Sequence, residues 1–123
     1  MGKKTILVID DNELNIKLIK GLFKINPEYL VLEAYSAEDG IKLALENIPD
    51  LILMDIQLPG MNGLIATKKL KGNTKTCHIP ILVLTSYAMQ GDEQKAKNVG
   101  CNGYITKPID TRKFLINVAT FLN

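Results

Sequence analysis

Two kinds of hydrophobic run alternate along this chain. Thr5-Ile6-Leu7-Val8-Ile9, Leu51-Ile52-Leu53-Met54 and Ile81-Leu82-Val83-Leu84 are short and almost wholly apolar, the pattern of strands buried on both faces of a parallel sheet. Tyr29 to Tyr35 and Gly103-Tyr104-Ile105-Thr106 are mixed, which suits strands at the sheet edges. Longer segments with helical spacing separate these runs. After Asn12-Glu13, the residues Leu14, Leu18, Leu22 and Ile25 recur at intervals of three and four and predict an inward stripe, with Asn26-Pro27 as the stop. Ala37, Ile41, Ala44, Leu45 and Ile48 form the next stripe, opened by Ser36 with Asp39 and closed by Pro49. Asn62 is placed to cap a helix through about Lys71, ended by Gly72-Asn73. Ala88 to Val99 reads as a helix with a weak stripe of Met89, Ala96 and Val99, ended by Gly100. Asp110 opens a last helix carrying Phe114, Leu115, Val118, Phe121 and Leu122.

The order is βα repeated five times, an α/β pattern. Right-handed crossovers and the two mixed edge strands together select a parallel five-stranded sheet of order 2-1-3-4-5 with helices on both faces, the flavodoxin-like doubly wound arrangement. No linker or repeat interrupts it, so residues 1–123 are expected to form a single domain.

Composition narrows the chemistry by exclusion. A net charge of +2, with lysines spread along the chain, argues against nucleic acid or an anionic membrane as partner. No apolar run approaches the ~20 residues of a membrane span, and Met-Gly-Lys-Lys does not begin a secretion signal. Cys77 and Cys101 stand far apart in no metal or redox pattern, as reduced thiols of a cytoplasmic protein would. Gly21 interrupts the first helix, and the sequence leaves its purpose open. His78 lies beside Pro80 in a loop and reads as a solvated histidine.

The third apolar run ends in Asp55, and Pro59, Gly60 and Gly63 forbid its continuation. Ligands gather at the carboxyl ends of strands in such sheets. There the strand order collects Asp10, Asp11, Asp55, Thr85 and Lys107. Like charges ~4 Å apart cost about 4 kcal/mol near a protein surface, and one lysine cannot neutralise three anions. A hard divalent cation is the natural filler, and Mg²⁺ suits a site that takes few carboxylates and favours phosphate as co-ligand. The backbone carbonyl of Gln57 could add a neutral oxygen. Asp55 beside a cation, a hydroxyl and an ammonium makes a phosphoryl-transfer site, with Asp55 as nucleophile.

Asp10-Asp11 after the first strand, Asp55 followed by Leu58-Pro59-Gly60-Met61-Asn62-Gly63, then Thr85 and Lys107-Pro108, stand in order at the proper strand ends. Taken together they resemble the receiver domain of two-component response regulators, over essentially the whole chain. The resemblance implies that Asp55 is the phosphoacceptor and that Asp10, Asp11, Asp55 and the Gln57 carbonyl hold Mg²⁺. It implies that Lys107 precedes a cis-proline bond and that Thr85 and Tyr104 form the switch pair. Gln57 and Tyr87 would flank the path of attacking water and tune the lifetime of the acyl phosphate. A histidine kinase or histidine phosphotransfer protein would be the donor. Output would run by contact with a downstream protein through the face of the fourth helix, fifth strand and fifth helix. Such a domain catalyses only its own phosphorylation and dephosphorylation. The run Met54-Asp55-Ile56-Gln57-Leu58-Pro59 is similar to that of stand-alone receivers of the DivK type, and receivers within hybrid kinases carry similar runs.

Two rivals share parts of this pattern. A phosphotransferase of the haloacid-dehalogenase kind would place its nucleophile after strand 1, with a second acid two residues on, whereas Asp10 and Asp11 are adjacent. A flavin binder of the same topology would want a glycine- and hydroxyl-rich loop where Asp10-Asp11-Asn12 stands.

Overall fold

A computed structural model describes residues 3–85 and 90–122, the side chains of 90–93 excepted. Strands β1 (Lys4–Ile9), β2 (Tyr29–Ala34), β3 (Leu51–Asp55), β4 (Ile81–Thr85) and β5 (Gly103–Thr106) alternate with helices. These are α1 (Glu13–Phe23), α2 (Ala37–Asn47), α3 (Gly63–Lys71), α4 (Gln90–Asn98) and α5 (Thr111–Ala119). All strand pairings are parallel, in the order β2-β1-β3-β4-β5, as the run types predict.

Alternation of side chains along each apolar strand feeds two separate cores. Leu7, Ile9, Ile52 and Met54 face Ala44 of α2 and Ala66 and Leu70 of α3. Ile6, Val8, Leu51 and Leu53 face Ile16, Ile19 and Phe23 of α1 and Phe114 and Val118 of α5. Phe23 stacks edge-on against both Tyr29 and Phe114, at centroid distances of 5.1 and 5.5 Å, tying α1, β2 and α5 into one aromatic contact. β3 and β4 are buried throughout, while β2 and β5 are mixed, so the edges fall where the sequence puts them.

Helix starts follow their caps. The side chains of Asn12, Ser36, Asn62 and Asp110 accept main-chain N–H bonds at the starts of α1, α2, α3 and α5. The expected stripe of α1 holds only at Leu22, which packs on the core. Ile16, Ile19 and Phe23 point inward, while Leu14 and Ile25 are each 74% exposed and Leu18 is 42% exposed. The helix carries apolar residues on both sides, and periodicity alone does not say which set the sheet takes. That helix also ends earlier than expected, at Phe23 with Lys24 as cap. Ile48, expected on the α2 stripe, instead caps that helix in the left-handed conformation (φ 45°) and is exposed. Phe121 and Leu122 pack on the core from beyond the end of α5. Met89 and Tyr87 lie outside the described residues.

Candidate phosphoryl-transfer site

The carboxyl ends of β1, β3 and β5 bring the predicted charges together. Asp10, the residue after β1, is fully buried and still bonded into the sheet through its N–H to the Ala34 carbonyl (3.1 Å). Asp11 turns outward into solvent, and Asn12 begins α1. Asp55 ends β3 with only 3% of its surface exposed. Lys107 follows β5, its N–H donating to the Thr85 carbonyl at 2.7 Å, and the Lys107-Pro108 bond is cis, as expected.

From there the Lys107 ammonium reaches Oδ2 of Asp10 at 3.3 Å and Oδ2 of Asp55 at 3.2 Å. The Gln57 N–H donates to the other Asp55 oxygen at 3.1 Å. One carboxylate oxygen from each of Asp10, Asp11 and Asp55 can be chosen so that all lie within 4.8 Å of one another. Burial pushes the Asp55 carboxyl up from its ordinary 3.8 to about 6, and the Asp10 charge adds to that rise. Lys107 and the Gln57 N–H oppose it.

The loop after Asp55 is shaped by two glycines. Gly60 holds a φ of +76°, which favours glycine. Gly63 seats the first turn of α3 directly on the Asp55 peptide: a Cβ there would strike the Asp55 carbonyl oxygen and lie 2.9 Å from the Ile56 Cα. The Gly63 N–H closes the loop onto the Ile56 carbonyl at 2.9 Å. The loop therefore holds the position of Asp55 from behind while its carboxylate faces the opening.

That opening is a cleft of about 600 Å³ lined by Asp11, Asn12, Asn15, Asp55, Gln57, Lys107 and Pro108. Asp11 and Asp55 line the cleft, and the buried Asp10, which does not, brings a third hard oxygen donor within 4.8 Å of theirs against one ammonium. This donor set fits a small hard divalent cation. Thr85 is buried at the end of β4, one register step beyond the Asp55–Leu84 pair, and is not among the residues lining this cleft. Tyr104 sits on β5 with 40% exposure and lines a separate groove with Pro108 and Lys113. Gln57 is exposed at the cleft mouth. His78 is exposed, and the thiols of Cys77 and Cys101 are free.

Sequence reasoning missed Asn15. Its Nδ2 donates to Oδ2 of Asp10 at 3.3 Å. The available signal was its position one helical turn past the acid pair, on the helix that Asn12 opens.

Residues 6–119 match the response regulator receiver domain family. The polar-differentiation response regulator DivK of Brucella ovis is 41% identical over 119 residues, covering 97% of this chain and 96% of its own. Among solved structures, the receiver domain of sensor histidine kinase PA1611 from Pseudomonas aeruginosa, with a magnesium ion coordinated in its active site cleft, superposes with a TM-score of 0.89. It is 26% identical, and the match covers 98% of each chain. Chemotaxis protein CheY4 of Vibrio cholerae gives a TM-score of 0.92 at 23% identity, covering 98% of this chain and all of its own, a likeness of fold. Among the described residues no helix is long and apolar enough to cross a membrane.

Proposed function

This chain belongs to the response regulator receiver family, whose shared role is phosphorylation-activated signalling, and from that membership we propose that Asp55 is its phosphoacceptor. The observation that carries the reading is the Lys107 ammonium held between Asp10 and Asp55, at 3.3 and 3.2 Å, with Asp11 completing the acid cluster. At neutral pH a carboxyl with a pKa of about 6 is mostly ionised, so Asp55 is available to attack phosphorus.

In the transfer, an Asp55 oxygen forms a bond to phosphorus as the donor's P–N bond breaks. The electron pair returns to the donor's imidazole ring, and an acyl phosphate is left on Asp55. Lys107 neutralises phosphoryl oxygens on one side, and the Thr85 hydroxyl donates to another. Asp10, Asp11, Asp55 and the Gln57 carbonyl would hold Mg²⁺, which when bound supplies positive charge to the phosphoryl oxygens. Gln57 and Tyr87 govern the access of water to the acyl phosphate and hence its lifetime.

The donor is a histidine kinase or histidine phosphotransfer protein, and the reaction is confined to the domain's own phosphorylation and dephosphorylation in the cytoplasm. Movement of Thr85 toward the phosphoryl group is coupled to Tyr104, and a downstream protein reads the α4-β5-α5 face. The groove of about 490 Å³ along β5 and α5, where Tyr104 lies half-exposed, supports that choice of face.

Incubation with Mg²⁺ and acetyl phosphate, followed by intact-mass measurement, tests the core of the reading. One phosphoryl adduct is expected on the wild type and none on Asp55→Asn. An adduct on both proteins, or on neither, overturns it.

A further inference from the structure

Asn15 lines the cleft, yet phosphoryl transfer as described gives it no task. It lies in the first turn of α1, three positions after the cap Asn12. At that place a Glu or Gln commonly turns back to accept the N–H of the cap residue. Here that N–H is already engaged: Asn12 donates it to Oδ1 of Asp10 at 2.9 Å. The Asn15 carboxamide reaches past the cap and donates to Oδ2 of Asp10 at 3.3 Å, the same oxygen that faces the Lys107 ammonium at 3.3 Å.

We propose that Asn15 is a positioning residue that fixes Asp10 for a divalent cation and so sets the cation affinity of the acid cluster. The inference rests on the metal-binding part of the reading above. Asp10 is wholly buried, and a buried carboxylate needs donors to hold it in one orientation. Were Lys107 its only side-chain donor, any shift of that ammonium toward a phosphoryl group on Asp55 would leave Asp10 gripped by the Asn12 N–H alone. Asn15 supplies a second side-chain donor that carries no charge, so it orients the ligand without repelling a cation. A carboxylate at this position would add a fourth acid to the cluster, and an ammonium would compete with the ion. Groups that orient a metal ligand in this way typically change metal affinity by about 10–100-fold when removed.

The test is isothermal titration of Mg²⁺ into the unphosphorylated wild type, Asn15→Ala and Asn15→Leu, with metal-free thermal melts alongside. Asn15→Leu keeps the side-chain bulk if Asn15→Ala folds poorly. About tenfold weaker Mg²⁺ binding is expected in the variants, with metal-free melting close to that of the wild type. Wild-type affinity in the variants overturns the proposal alone, as does a loss of affinity that merely tracks a loss of metal-free stability. Absence of Mg²⁺ binding by the wild type overturns it together with the metal-binding reading.

Discussion

Lys107 holds its ammonium 3.2 Å from Oδ2 of Asp55, joining the loop after β5 to the end of β3. The same nitrogen also meets Asp10, so one cation serves two buried carboxylates. Removing one partner of a buried ion pair generally costs about 3–5 kcal/mol, softened here because Asp55 can take a proton. Lys107→Met is therefore expected to lose about 2–3 kcal/mol of metal-free stability at neutral pH. The gap should narrow in mild acid, where Asp55 is protonated. Urea unfolding at the two pH values measures it, and an equal gap at both contradicts the assignment.

Asp55 holds its proton more tightly in the folded protein, at about 6, than at its ordinary 3.8. Between those values the folded state binds more protons than the unfolded chain, so this group's contribution to stability falls as pH rises and is a constant cost above about 6. Asp55→Asn is expected to raise the stability of the metal-free protein at neutral pH by about 3 kcal/mol, taking about 1.4 kcal/mol for each pKa unit between 3.8 and about 6. It should also remove the slope from that window in a series of urea titrations.

Gly63 has no room for a side chain against the Asp55 peptide. Gly63→Ala should destabilise by about 2–3 kcal/mol through forced displacement of α3 or of β3. The measurement is chemical denaturation, paired with the rate of phosphorylation by acetyl phosphate, which should fall with it.

Gly21 is the opposite case. It stands inside α1, and an added Cβ would meet nothing within 4 Å. Gly21→Ala is expected to stabilise by about 0.5–1 kcal/mol through helix propensity alone, seen as a raised denaturation midpoint with an unchanged slope.

The two apolar sides of α1 are also separable by experiment. Ile19 is fully buried and Leu14 is 74% exposed. Ile19→Ala should cost about 3 kcal/mol, whereas Leu14→Ala should stay within about 0.5 kcal/mol of the wild type. Equal effects would mean that the helix is rotated from the orientation described.

The strands were legible because burial on both faces leaves no polar residue inside a run, and the edges because β2 and β5 keep polar positions. Helix starts were legible through Asn12, Ser36, Asn62 and Asp110, each of which bonds a main-chain N–H. The rotation of α1 was not. Leu14, Leu18 and Ile25 have helical spacing as good as that of Ile16, Ile19 and Phe23, so spacing alone does not tell the inward set from the outward one. At the cleft, Asp10, Asp11, Asp55 and Lys107 could be placed because each follows directly from a strand end. Asn15 could not, because it stands on a helix and its part depends on the direction in which a neutral carboxamide turns.

The 2.7 Å bond from the Lys107 N–H to the Thr85 carbonyl links two strand termini main chain to main chain. A tug on the Lys107 side chain therefore bears on the peptide plane at the end of β4. On the opposite flank the contact of Gly63 with the Asp55 peptide acts as a hard stop. With the end of β3 wedged and the ends of β4 and β5 tied to each other, a charge added at the cleft would load the β4–β5 tie rather than displace β3.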